Sequence, residues 1–162
     1  MYCVPIHASK SHLPSLISPA HVGTLIHFFR GQKVMLDRDL AALYGVTTKT
    51  FNQAVKRHRN RFPPDFMFQL NPMETRSWRA QRLGIDTGAK MGIRRMPYAF
   101  TEQGVAMLSS VLNNERAVLV NISIMRAFVR IRGVLAAHKE LAQRLETVEK
   151  GLVRHSARMN FL

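Results

Sequence analysis

Residues 37–61 read DRDLAALYGVTTKTFNQAVKRHRNR, and this stretch decides the fold of the chain around it. Apolar side chains at Leu40, Ala41 and Tyr44 fall on one face of a short helix. Gly45 ends that helix, because glycine adopts a left-handed conformation at little cost. The small side chain of Ala41 lets a second helix pack closely against the first. The stretch therefore predicts a helix-turn-helix, in which the second helix enters the major groove of DNA.

The second predicted helix begins at a capping threonine, Thr47 or Thr48. Phe51, Ala54 and Val55 form its inward face. Its outward face is polar at first and basic afterwards, with no acidic residue between positions 49 and 61. A solvated helix pair with a basic face is the alternative interpretation.

The outward side chains fit two kinds of DNA contact. Hydroxyl and amide groups pair with base edges, whereas lysine and arginine hold phosphates without reading sequence. A glycine-containing basic loop further along the chain would lie along the DNA backbone or in the minor groove, as a wing or an arm does. The predicted DNA-binding residues are Thr47, Thr48, Lys49, Thr50, Asn52, Gln53, Lys56, Arg57, Arg59, Arg61, Arg94 and Arg95, with Lys49, Thr50, Asn52 and Gln53 directed to the bases.

Composition restricts the partners. The 162-residue chain is 46% apolar, enough to bury a core, and carries a net charge of +14 with a pI near 11.2. The electrostatic field of so large a positive charge favours binding to polyanions: DNA, RNA or anionic lipid. One cysteine, Cys3, allows no disulfide within the chain, and no apolar window is long enough to span a membrane. We expect a cytoplasmic protein without membrane contact, associated with the nucleoid of a bacterial or phage-infected cell.

The whole chain predicts an α+β fold with a helix-turn-helix core, short antiparallel strands and a long C-terminal helix. A hairpin turns at Gly31, and helices begin at Asn71 and Thr101. Asp37 and Asp39 are expected to cap the first helix of the pair. The predicted segments are a flexible tail at 1–22, a DNA-binding domain at 23–132 and a heptad-patterned helix with a frayed end at 133–162; strands are expected at 25–30, 33–36, 66–70 and 96–100.

The last helix carries an apolar seam at alternating spacings of four and three residues, from Ala127 to Leu152. The seam predicts a homodimer, parallel or antiparallel, with Arg144 and Glu149 beside it; packing of the helix back on its own domain is the alternative. The predicted dimerisation residues are Ile131, Val134, Leu141, Leu145, Val148 and Leu152.

No enzyme motif is present: there is no Walker loop, no G-x-G-x-x-G after a strand, no H-E-x-x-H and no G-x-S-x-G. The ten acidic residues are scattered, which argues against a two-metal nuclease site. We therefore expect no catalysis, no metal and no cofactor. Arg76, Arg79 and Arg82 share a helix face that is either solvated or turned to phosphates.

Several long strings carry a family resemblance: RGQKVMLDRDLAALYGV, NQAVKR, RFPPDFMFQL and PYAFTEQGVAMLSSVLNNERAVLVNISIMRAFV. In order and spacing they resemble the phage and prophage ORF-6 N-terminal domain family, over residues 24–132. That family is related in setting to the KilA-N and Bro-N domains. The resemblance implies a DNA-binding module of a prophage-derived regulator. For the string Thr101-Glu102-Gln103-Gly104, a helix cap and a tight helix-to-strand contact are the expected physical reasons.

Three other functions stay open at this stage. The first is an antirepressor that binds a repressor protein. The second is an RNA binder that stacks bases on Phe28, Phe29, Phe66 and Phe68. The third is a nuclease.

Overall fold

A computed structural model of the chain describes residues 17–83, 95–112 and 114–159, with the backbone alone of residue 83 and residues 151–159. Its helices and its single antiparallel sheet confirm the predicted α+β class. The helices are α1 (Pro19–Gly23), α2 (Asp37–Tyr44), α3 (Thr48–Arg57), α4 (Pro72–Leu83), α5 (Glu102–Leu108) and α6 (Glu115–Met159). The strands are β1 (Ile26–Phe29), β2 (Gln32–Leu36), β3 (Met67–Gln69) and β4 (Tyr98–Thr101), and a 3-10 helix spans Arg59–Arg61.

The sheet has the strand order β1-β2-β4-β3. Its first two strands form the predicted hairpin, which turns at Arg30 and Gly31 with φ values of 51° and 73°. Two positive φ values define the turn type that matches strand twist in a two-residue hairpin. Strand β4 pairs with β2, placing Met35 opposite Phe100. The pairing of β2 with β4 therefore joins distant parts of the sequence within one sheet.

The two central strands are buried on both faces. Met35 and Phe100 point into the larger core, which α2, α3, α5 and α6 cover. Val34 and Ala99 point the other way, into a smaller cluster. That cluster contains Trp78 of α4, which is buried.

The helix pair forms as its sequence predicts. Gly45 ends α2 in the left-handed conformation, with φ of 73°. Thr47, the first of the two candidate caps, accepts a hydrogen bond from the backbone N–H of Thr50 at 3.1 Å. Phe51 and Val55 are buried on the inward face of α3. The turn and the apolar face together hold the two helices against the sheet.

The string Thr101-Glu102-Gln103-Gly104 serves both expected purposes. Thr101 caps α5 by accepting a hydrogen bond from the N–H of Gly104 at 3.3 Å. A Cβ atom at Gly104 would lie 2.0 Å from the carbonyl oxygen of Phe66, immediately before β3. Only glycine allows that approach, so this position fixes α5 against the entry to β3.

The end of the N-terminal segment departs from its prediction, whereas residues 1–16 lie outside the described part of the chain. Residues 1–22 were expected to form a flexible tail, yet Pro19–Gly23 form α1, capped by Ser18. Val22 is completely buried in the main core, and α1 packs against α6. Three prolines in the segment indicate a tail, whereas Pro19 lies in the first turn of α1, where proline is well tolerated.

The long C-terminal helix is confirmed, and its first part belongs to the domain. Arg116 donates through Nε to the carbonyl of Leu43 at 3.0 Å, and the hydroxyl of Tyr44 donates to Asn121. Both contacts fix α6 to the end of α2. From Val129 to Lys150 the side chains of α6 are exposed, apart from the half-buried Ile131. Within the described segments, no helix is both long and apolar enough to cross a bilayer.

Candidate nucleic-acid interface

An open groove of about 840 Å³ runs along one side of α3. The segment 95–97, which leads into β4, and the start of α2 also line it. The lining residues are Asp37, Arg38, Thr48, Lys49, Asn52, Gln53, Lys56, Arg95, Met96 and Pro97.

The structure divides the predicted DNA-binding residues into two groups. Thr48, Lys49, Asn52, Gln53, Lys56 and Arg95 all line the groove. The others that the structure describes lie elsewhere: Thr47, Thr50, Arg57, Arg59 and Arg61. The hydroxyls of Thr47 and Thr50 lie 2.9 Å apart and satisfy each other at the start of α3. Arg94 lies outside the described residues.

Asn52 and Asp37 form the central polar contact of the groove. The side-chain amide of Asn52 donates to Asp37 Oδ2 at 2.8 Å. The carbonyl oxygen of Asn52 is buried and has no hydrogen-bond partner among the described residues. The sequence predicts that Asn52 faces bases; in the structure one of its amide protons is bound to Asp37 and its oxygen is buried.

Asp37 is not the helix cap that the sequence predicts. It is the first residue of α2, Leu36 occupies the cap position, and no side chain caps this end. Asp37 Oδ1 accepts from the backbone N–H of Arg38 at 2.8 Å. Burial raises the pKa of Asp37, and hydrogen bonds from Asn52 and from the backbone of Tyr98 and Arg38 oppose that rise only in part. Asp37 thus connects α2, α3 and the start of β4.

Asp39 also has a role other than capping. Nη1 of Arg82, in α4, donates to both of its carboxylate oxygens at 3.0 and 3.1 Å. Burial acts to raise the pKa of Asp39, but His27 and Arg82 together lower it below its ordinary value. Arg82 is therefore held in an ion pair, and Nε of Arg79 is buried. The three arginines of α4 do not form a uniform face of free cations.

Helix α3 ends before the basic segment of the sequence, which runs on to Arg61, is complete. It stops at Arg57, and the 3-10 turn that follows changes the direction of Arg59 and Arg61. Nη1 of Arg61 donates to the carbonyl and hydroxyl oxygens of Ser110, at 2.9 and 3.0 Å. Arg61 thus braces the segment after α5 and does not extend the row of cations along α3.

One cation of the groove, Arg38, is absent from the predicted DNA-binding residues. Arg38 is exposed at the start of α2, with its guanidinium carbon 5.7 Å from the centre of the Trp78 ring. It lines the groove beside Lys49 and Lys56. Its position between two aspartates suggests a local charge pair, but in the fold the carboxylates of Asp37 and Asp39 bind Asn52 and Arg82 instead.

The aromatic side chains suit RNA stacking less well than their sequence pattern suggests. Phe29 and Phe68 pack against the smaller core cluster. Arg30 covers the ring of Phe68 at 4.4 Å and is held there by Glu74, whose oxygen lies 2.8 Å from Nε. Phe28 remains exposed. In residues 17–83, 95–112 and 114–159, no three histidine, cysteine or acidic side chains cluster as metal ligands would.

Comparison with known families agrees with the residue patterns. A model described as the ORF6N domain matches residues 24–111, from two residues before β1 to three residues past the end of α5. The chain belongs to the ORF6N domain family. The groove and the Thr101–Gly104 string both fall inside the matched region, whereas α6 lies beyond it. No curated protein and no solved structure matches the chain.

Proposed function

We propose that this phage-type ORF6N domain binds duplex DNA through the groove side of α3. The observation that supports the proposal best is the charge around the groove. Arg38, Lys49, Lys56 and Arg95 are exposed cations that line it. The one acidic lining residue, Asp37, is buried and hydrogen-bonded to its neighbours. The surface offered to a ligand is therefore cationic, as phosphate binding requires.

Lys49 and Gln53 are the proposed base-reading residues. Both are exposed, both line the groove, and they lie one helical turn apart on α3. A lysine ammonium suits the acceptors of guanine, and a glutamine amide suits the acceptor and donor of adenine. Asn52, hydrogen-bonded to Asp37, would hold that face of α3 in position. The segment 95–97 would follow one strand of the duplex.

A salt titration of duplex binding tests the proposal. Each lost phosphate contact lowers the slope of log K against log salt by about 0.9. Conversion of Lys56 and Arg95 to glutamine should therefore reduce the slope by about 1.8 and weaken binding to all sequences alike. Fluorescence anisotropy on a labelled duplex measures both quantities.

Lys139→Gln combined with Lys150→Gln provides the matched control, because it removes the same charge from the exposed part of α6. An equal loss of slope in that control would show that the protein binds DNA only through its net charge. No binding of wild-type protein at low salt would reject the proposal outright.

A protein-interaction function is the second candidate. Its support is an exposed apolar stripe on the outer side of α6, formed by Val118, Leu119, Ile122 and Val129, which are 42% to 63% exposed. Stripes of this kind commonly mark protein contacts. Binding of a purified phage repressor without DNA, abolished by Ile122→Asp and retained in the Lys56/Arg95 double variant, would favour this function.

A further inference from the structure

The part of α6 from Val134 to Val148 exposes a regular row of apolar side chains. Val134, Leu141, Leu145 and Val148 are 50% to 61% exposed. With His138 between the first two, they follow alternating spacings of four and three residues. The predicted seam is shorter than its sequence suggests, because Ala127 is buried and Ile131 is half-buried. The side chain of Leu152 lies outside the described residues.

The exposed seam is continuous with the domain. An apolar groove between α1 and α6 contains Gly23, Ile131 and Val134, and so extends from α1 to the first exposed seam residue. From residue 134 to residue 152 the helix rises about 27 Å, close to three heptads. A seam of this length and regularity fits an identical helix better than an irregular surface.

We propose that a second copy of this chain covers the seam in a parallel two-stranded coiled coil. The seam assigns Leu145 to heptad position a and Leu141 to position d, which places Arg144 at g and Glu149 at e. In a parallel pair, a g residue lies beside the e residue five positions later in the other helix. Arg144 therefore meets Glu149 of the second copy, twice by symmetry.

An antiparallel pair cannot make these contacts. It places g positions beside g positions, and those of the seam are Ala137, Arg144 and Gly151. Arg144 would then find no carboxylate in any register. Within one chain Arg144 binds Glu140 at 2.7 Å, but both side chains are exposed, so exchange to an interchain partner costs little.

His138 favours the same alignment. It occupies an a position, so a parallel in-register pair places the two imidazoles opposite each other. In a register shifted by one heptad, each imidazole would instead face an apolar a residue. A polar residue at a single a position commonly fixes register in this way. The parallel dimer does not depend on the proposed DNA binding.

Sedimentation velocity of the full chain tests the dimer. Wild-type protein should sediment as a dimer that Leu145→Asp weakens about a hundredfold or more, because each dimer loses two buried leucines. Gln143→Asp adds the same charge about 200° around the helix and should leave the dimer intact. Since residue 145 is exposed within one chain, circular dichroism should show both variants folded. A monomeric wild type, or a dimer unaffected by Leu145→Asp, would overturn the proposal.

Disulfide trapping tests the direction. Val134→Cys and Val148→Cys are each introduced singly into a Cys3→Ser background. A parallel dimer brings each new thiol opposite its symmetry mate, so both variants should cross-link under mild oxidation. An antiparallel dimer can align at most one of the two positions. Cross-linking of only one variant, or of neither, would therefore contradict the parallel arrangement.

Discussion

Asp37 and Asn52 join the two helices of the pair through a 2.8 Å hydrogen bond at the base of the cationic groove. The bond uses one amide proton of Asn52 and leaves its oxygen buried. Gln53, the next residue, is exposed and makes no such contact among the described hydrogen bonds. Neighbouring amides on α3 therefore have different roles, one in support and the other toward a ligand.

We expect Asn52→Ala to affect the stability of the protein and Gln53→Ala to affect its sequence discrimination. Asn52→Ala removes a donor from a buried carboxylate and should lower the free energy of unfolding by about 1–2 kcal/mol. Gln53→Ala should change that quantity by less than about 0.5 kcal/mol. It should instead lower discrimination between a selected duplex and a random one by about 1–3 kcal/mol. Urea unfolding and competitive anisotropy measure the two effects, and equal loss of discrimination in both variants would contradict the assignment.

The pH dependence of stability should reveal the raised pKa of Asp37. Burial raises its folded-state pKa above 3.8, the ordinary value. The folded protein then binds the proton more tightly than the unfolded chain, so this stabilisation is complete below the unfolded pKa and is lost as pH rises through the folded one. Relative to Asp37→Asn, wild-type protein should lose stability as pH rises above 3.8 until the carboxyl is fully ionised.

Urea unfolding at a series of pH values from about 3.5 to 7 measures this difference. Asp65→Asn is the control, since Asp65 is exposed and its replacement changes the net charge equally. A stability difference that stays constant across the series would mean that Asp37 has the same pKa in the folded and unfolded chains.

Gly104 should be intolerant of any side chain. Alanine there would place its Cβ 2.0 Å from the Phe66 carbonyl oxygen, and backbone atoms cannot yield as a flexible side chain does. We expect Gly104→Ala to lower the free energy of unfolding by about 3 kcal/mol. Gly133→Ala is the matched helical control, because a Cβ there meets nothing within 4 Å, and it should stabilise the helix by about 0.5–1 kcal/mol. A Gly104→Ala variant as stable as wild type, or more stable, would contradict the contact, because alanine has the higher helix propensity.

Local chemistry made much of the fold predictable. Gly45 and Thr47 determine the turn through their own backbone preferences, and both predictions are confirmed. The same holds for the reciprocal hydrogen bonds of Asn71 and Glu74 at the start of α4, both 2.8 Å long. Each of these features depends on residues within four positions of one another, a range that the sequence displays directly.

The partners of the polar side chains were not predictable in the same way. Helical spacing places Asn52 on the outward side of α3, but Asp37 lies 15 positions earlier and reaches it only through the turn. Arg61 similarly finds Ser110, 49 positions later. Strand β4 must first insert between β2 and β3 before the segment 95–97 can line the groove with α3. Contacts of this kind depend on the tertiary fold, which a periodic sequence pattern does not show.

The two proposals together predict the form of the DNA site. Arg116 and Asn121 fix α6 to the end of α2, so a parallel coil would hold two α3 helices at the same end of the dimer. A two-fold axis along the coil then requires inverted half-sites, with centres about 10 bp apart or a multiple of that distance. Selection from a random duplex library should recover such repeats. Leu145→Asp should weaken binding to a duplex with both half-sites about a hundredfold and leave binding to a single half-site unchanged. Gln143→Asp should leave both affinities unchanged, and equal loss on both duplexes in Leu145→Asp would show that the seam affects the DNA-binding domain itself rather than joining two of them.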